Sequence, residues 1–157
     1  MTQSTIGGNF LHEKKSDDIV EIWIDGSCAP INPEGTGSIG YVMTENGRVV
    51  ARGSKVVGKG KGMTTNVAEY MALICALTDV KALGLEDAKI FVKSDSQLIV
   101  YQINGKYRIK EPSLRPYYRE AKNLMISLNA KLEWIPREEN EEADRLAREA
   151  YEKSLKA

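Results

Sequence analysis

The order in which extended and helical patterns succeed one another is the strongest constraint on this chain. An apolar, β-branched run from Val20 to Ile24 stops at Asp25-Gly26 and enters a connection rich in turn formers, Pro30, Asn32, Pro33, Gly35 and Gly37. Residues 38–43 and 48–57 flank Glu45-Asn46-Gly47, and Asn-Gly supplies the positive φ of a tight hairpin. Gly58 to Gly62 is too glycine-rich for a strand interior and is expected to be a loop. From there the pattern changes period. Thr64, Thr65 and Asn66 can cap a helix whose apolar positions Val67, Tyr70, Met71, Ile74 and Leu77 recur at helical spacing, ending near Gly84. A short strand over 88–93 leads into a helical stretch from Asp95 to Asn104-Gly105. A third helix fits 113–128, a final strand runs from Ala130 to Ile135, and a last helix starts at about Asn140 with Ala143, Leu146, Ala147, Ala150 and Tyr151 on one face.

Three strands in succession, then helix, strand, helix, helix, strand, helix, predict an α/β fold. Its five-stranded mixed sheet would combine an antiparallel meander of three strands with βαβ units, and helices would cover the faces. The 157 residues suit one domain, expected over 19–157, and residues 1–18 lack a sustained period and read as a loosely ordered extension. No apolar run approaches the roughly 20 residues that span a bilayer, and the first residues lack the pattern of a secretory signal, so a cytoplasmic protein without a membrane role is expected. Cys28 and Cys75 have no spacing suited to a zinc site or disulfide framework and are expected to be small buried residues.

The 22 basic residues balance the 22 acidic ones, so net charge announces no polyanionic partner. Distribution says more. Residues 45–62 carry Arg48, Arg52, Lys55, Lys59 and Lys61 against Glu45, and 104–122 carry Lys106, Arg108, Lys110, Arg115, Arg119 and Lys122 against Glu111 and Glu120. The stretch 131–153 is acidic in balance, which implies basic flanks around an acidic centre.

Within that centre, Asp25 and Asp95 each follow a strand that βαβ logic can set side by side, and open α/β sheets bind ligands beyond strand carboxyl ends. Glu69 in an early helical turn and Asp144 in the last helix can reach the same place. Clustered carboxylates raise one another's pKa unless a cation neutralises them, and hard oxygen donors suit Mg²⁺ or Mn²⁺. Two such ions roughly 4 Å apart can bind both sides of a scissile phosphate, so no histidine or serine nucleophile is needed. The single histidine, His12, falls in the expected extension, which disfavours a metal-free, histidine-based mechanism. Taken singly, each carboxylate has an ordinary explanation: Asp95 as a cap, Glu69 as a helix N-terminal acid, Asp144 as part of a solvated face with Glu141 and Glu142.

Four segments decide between these readings: IWIDGSC (22–28), TTNVAEYMALICAL (64–77), KSDSQLIVYQING (93–105) and REENEEADRLAREA (137–150). In order and spacing they closely resemble the four motif regions of type 1 ribonuclease H, over about residues 20–150, and the compact segment after Asn104 looks most like the archaeal or retroviral-type branch. The resemblance implies the ribonuclease H-like fold and hydrolysis of the RNA strand of RNA/DNA hybrids, leaving 5′-phosphate and 3′-hydroxyl ends. It implies that Asp25, Glu69, Asp95 and Asp144 are both catalytic and metal-binding, holding two Mg²⁺ ions with substrate bound, with Mn²⁺ as a substitute. Gly26, Ser27, Cys28, Asn32, Thr64, Asn66 and Gln97 match substrate-binding positions, and the turn at Ser27 and Cys28 can offer backbone amides to the RNA 2′-hydroxyls. Helix capping accounts equally for Thr64 and Asn66.

Two features depart from the family's pattern. Bacterial members often carry a histidine in the loop before the last Asp; here Trp134 to Asn140 has none, and Arg137 or Glu138 is the candidate helper. The long tryptophan-bearing basic protrusion is also absent, and Lys106, Tyr107, Arg108, Lys110 and Arg115 would give a weaker, salt-sensitive hold on phosphates. The expected partner is an RNA/DNA hybrid bound by a monomer, with double-stranded RNA a second candidate substrate. The alternatives are a non-catalytic nucleic-acid-binding module of the same fold, which clustered negative charge argues against, and a related DNA-cutting nuclease.

Overall fold

The computed structural model of the protein describes residues 16–156. Most of the expected extension, including His12, therefore lies outside the described residues. Its last residues are tied down: Asp18 accepts a hydrogen bond from Asn46 Nδ2 at 2.9 Å, and its carbonyl accepts one from Lys89 N.

Five strands, β1 (Ile19–Ala29), β2 (Thr36–Glu45), β3 (Arg48–Lys59), β4 (Lys89–Ser94) and β5 (Lys131–Trp134), form one mixed sheet in the order β3-β2-β1-β4-β5. The first three are antiparallel, and β4 and β5 add in parallel, as the order of patterns requires. Four helices complete the fold: α1 (Thr65–Ala82), α2 (Gln97–Ile103), α3 (Arg115–Leu128), preceded by a 3₁₀ turn at Pro112–Leu114, and α4 (Glu141–Ser154). The hairpin turn lies at Asn46-Gly47, both at positive φ, between the paired residues Glu45 and Arg48.

Two expectations about boundaries are corrected. Gly58 and Lys59 belong to β3, because pairing with Gly37 and Thr36 continues past a bulge. Asp25 is not at the end of its strand, since β1 runs on to Ala29 against β2. What ends beside Asp25 is the parallel ladder: the last pair is Ile24 with Ser94, so Asp25 in β1 and Asp95 just after β4 are the first residues beyond it.

Adjacent strand positions face opposite sides. Val20, Ile22, Ile24 and Ile39 join Val67, Tyr70, Leu73, Leu77 and Val80 of α1 in the main core, while Gly40 lies under α4. The buried face of α1 differs from expectation: Met71 and Ile74 are only partly buried, whereas Ala72, Leu73 and Ala76 are core. The helix packs between the sheet and α3, so a single stripe at helical spacing underestimates its buried surface. On the other face, a Cβ on Gly40 would come within 2.2 Å of the Ala143 carbonyl oxygen and 2.5 Å of Ala147 N; α4 rests directly on the backbone of β2. Cys28 and Cys75 are half-buried rather than buried, with Cys28 Sγ donating to the Ile31 carbonyl at 3.2 Å.

Candidate active site

Close backbone approach assembles the centre. A Cβ on Gly26 would lie 2.5 Å from both the Ala68 carbonyl carbon and Glu69 N, so glycine allows α1 to lie against β1 one residue beyond Asp25. Thr64 is the N-cap, accepting from Val67 N at 3.0 Å, and this sets Glu69 in the second turn of α1. The capping alternative for Thr64 therefore holds in the fold. Asp95 sits between β4 and α2. Its carbonyl accepts from Trp134 Nε1 at 3.2 Å, and the next helix is capped by Ser96 rather than by Asp95.

Asp25, Glu69 and Asp95 each offer a carboxylate oxygen, and these three atoms lie within 4.8 Å of one another. Asp25 is 9% exposed. Burial first, then the charges of Asp95, Glu69 and Asp144, and a hydrogen bond with Asp144, push its pKa up to about 8. Burial also raises Glu69, to about 7, although a hydrogen bond from Ser96 and the charge of Arg137 oppose that rise. At neutral pH the cluster is thus unfavourable as a set of bare carboxylates. A divalent cation removes the conflict, and an all-oxygen donor set suits a hard one.

Asp144 stands apart. Its charge acts on Asp25, but it is not one of the three converging carboxylates; its side chain is 49% exposed, and it pairs with Arg148 one turn on at 3.3 Å.

The other sequence-selected residues divide into groups. Asn32 accepts from Thr65 N at 3.1 Å, which brings Asn32, Thr64 and Asn66 together at the start of α1. Ser27 and Cys28 lie on β1 just past the carboxylates, with the Ser27 hydroxyl 2.9 Å from that of Ser38. Gln97 is exposed at the first position of α2. Arg137 and Glu138 occupy an exposed 3₁₀ turn ahead of α4; of the two, Arg137 is the one whose charge reaches Glu69. Asn66 also lines a cleft of about 490 Å³ with Leu98, Gln102, Lys106, Tyr107 and Arg108. The basic segment, whose Tyr107 the sequence reading already named, thus shares a cleft with the apolar side chains of Leu98 and Leu114. Two participants escaped sequence reasoning. Ser96, the cap of α2, favours the ionised form of Glu69, and Asn140, read only as a helix start, donates to Asp95.

Residues 24–150 match the family model described as reverse transcriptase-like. The crystal structure of RNase H1 from the halophilic archaeon Halobacterium salinarum superimposes with a TM-score of 0.77 at 32% identity, covering 86% of this chain and 98% of that one. This chain is a type 1 ribonuclease H family member. LC11-RNase H1, isolated from compost by a metagenomic approach and solved in complex with RNA/DNA hybrid, matches with a TM-score of 0.78 at 36% identity over 87% of this chain and 99% of that one. Among curated relatives, a bifunctional protein of Mycobacterium tuberculosis is 34% identical over 128 residues, 81% of this chain. The chain spans 34% of the length of that relative and 64% of Halobacterium salinarum ribonuclease HI. Among the described residues no helix is long and apolar enough to cross a membrane.

Proposed function

We propose that this protein is an endoribonuclease that hydrolyses the RNA strand of RNA/DNA hybrids with two divalent ions, leaving 5′-phosphate and 3′-hydroxyl ends. The observation that carries the reading is the convergence of Asp25, Glu69 and Asp95 within 4.8 Å, in a fold whose relatives include an RNase H1 solved with a hybrid. Divalent ions, Mg²⁺ or Mn²⁺ in its place, would supply the Lewis acidity that activates water and stabilises the leaving oxygen. The three converging carboxylates would hold them, with Asp144 completing the set from its more exposed place.

Around that centre the chain's own residues would select and orient the substrate. Asn32, Thr64 and Asn66 form a polar corner at the start of α1, suited to the hybrid backbone and the RNA minor-groove edge. Gly26, Ser27 and Cys28 run alongside the carboxylates, where backbone groups meet the RNA 2′-hydroxyl, the group that distinguishes RNA from DNA. Gln97 flanks Asp95 on the exposed side. Lys106, Arg108 and Lys110, on the rim of the Tyr107 cleft, would hold the phosphates of the second strand. Arg137 is the loop residue favoured as a helper, because its charge supports the ionised form of Glu69. We assign the protein to the cytoplasm as a monomer.

The test compares RNA/DNA, RNA/RNA and DNA/DNA duplexes in one cleavage assay with Mg²⁺, Mn²⁺ and EDTA. Metal-dependent cutting of the RNA/DNA duplex supports the proposal. Binding without cutting favours the non-catalytic module, and cutting of DNA/DNA favours the related nuclease.

A further inference from the structure

Asn140 stands at the N-cap of α4, yet its side chain does not cap the helix. It is 1% exposed, and its amide turns the other way. Nδ2 donates to the Ile24 carbonyl at 2.8 Å and to Asp95 Oδ2 at 3.2 Å. The Asn140 carbonyl accepts from Asp144 N at 3.1 Å. One residue therefore touches the backbone preceding Asp25, the carboxylate of Asp95 and the turn that carries Asp144.

The far end of the amide is unsatisfied: Oδ1 is buried without a hydrogen-bond partner. Reversing the amide would set Oδ1 against two acceptors, the Ile24 carbonyl and the Asp95 carboxylate, so chemistry dictates the orientation. A buried acceptor left unpaired costs stability, because it has given up its hydrogen bonds to water without replacing them. That cost is accepted at a position where serine or aspartate would cap the helix as well. The value of asparagine here lies in its two donors.

We infer that Asn140 is a positioning residue of the metal cage, holding one oxygen of Asp95 so that the other is presented toward Asp25 and Glu69. The inference rests on the metal-dependent reading above. A neutral donor suits the task. Lysine or arginine in this place would neutralise Asp95 and compete with the cation, whereas an amide restrains the carboxylate and leaves its charge for the metal. Its second hydrogen fixes the start of α4 to the last residue of the parallel ladder, so the helix bearing Asp144 and the strand bearing Asp25 share one anchor.

Mn²⁺ titration calorimetry on the full chain, run beside Mg²⁺-dependent cleavage, tests this with Asn140→Ala and Asn140→Ser. Partners of metal ligands commonly change metal affinity on the order of 10- to 100-fold. Asn140→Ala is expected to weaken Mn²⁺ binding on that scale and to raise the Mg²⁺ needed for half-maximal cleavage, with hybrid affinity in EDTA unchanged within about twofold. Serine caps helices well but keeps one donor, so Asn140→Ser separates the roles even if the alanine variant folds poorly. A structural role predicts parental Mn²⁺ affinity for Asn140→Ser; a positioning role predicts a loss despite a parental melting temperature. Parental Mn²⁺ affinity in a folded Asn140→Ser or Asn140→Ala protein overturns the inference. A parent chain that neither binds Mn²⁺ nor cuts the hybrid overturns the metal-dependent reading itself, an outcome visible before any variant is compared.

Discussion

Asp25, Glu69 and Asp95 differ from Asp144 in almost every physical respect, although all four belong to one acidic centre. The three converge to within 4.8 Å beside the end of a parallel ladder, and burial raises Asp25 and Glu69 far above ordinary carboxylates. Asp144 is half exposed and has a cation of its own, Arg148. The difference teaches that Asp25 and Glu69 sit unfavourably as bare carboxylates inside the converging group, whereas Asp144 stands at the surface beside a cation of its own. Metal dependence should be written into the first group and only adjusted by the second.

The strongest way to break this contrast is Asp95→Asn. It is expected to reduce the cleavage rate at saturating Mg²⁺ by a factor on the order of 10³ or more, while hybrid binding in a gel shift persists. A variant cutting at the parental rate would remove Asp95 from the cage. Next in size is Gly26→Ala, whose new methyl would overlap the backbone of Ala68 and Glu69. Displacing α1 should cost about 3 kcal/mol in urea unfolding and carry Glu69 away from Asp25. Unchanged stability together with unchanged activity would show that the close approach is dispensable.

The raised pKa of Asp25 gives a third test. Its folded value, about 8, lies above its ordinary 3.8, so the protonated form is the one folding favours. The resulting stability is fully present below pH about 4 and is lost as pH rises through about 8. Metal-free protein should therefore melt at progressively lower temperature across that window. Asp25→Asn should flatten the slope and stabilise the metal-free protein at pH 8 by on the order of 2 kcal/mol. A variant as pH-sensitive as the parent would assign the strain to other groups.

Asp144→Asn is expected to do less than Asp95→Asn, lowering the rate on the order of 10-fold, about 1.4 kcal/mol, because its carboxylate stands outside the converging three. An effect equal to that of Asp95→Asn would erase the distinction between them. Arg148→Ala closes the series. An exposed helical pair contributes about 0.3–0.5 kcal/mol, so thermal stability should barely move, while release of Asp144 should lower the Mg²⁺ midpoint slightly.

Much of this was legible along the chain. The three-strand start and the later alternation correctly anticipated the five-stranded mixed sheet, and Thr64 was among the cap candidates before Glu69. Local signals failed where pairing partners differ in length. The pattern after Ile24 reads as a strand end, yet β2 keeps pairing with β1 to Ala29 while β4 stops at Ser94. The glycines of 58–62 masked the end of β3 for the same reason: a long partner holds residues of weak intrinsic preference.

Residue order alone determined which side chains are available for chemistry: four acids at motif positions, a single histidine far from them in sequence, and basic segments on either side. It could do so because donor type and local spacing are properties of the chain itself. Only the tertiary structure decided that three acids converge while one stands aside, that Asn140 holds Asp95 and Ser96 comes to act on Glu69, and that Gly26 and Gly40 admit the helices that bring them together. Those outcomes depend on where ladders end and how closely backbones pack between residues as many as 116 positions apart, as Ile24 and Asn140 are. No local pattern encodes such distances.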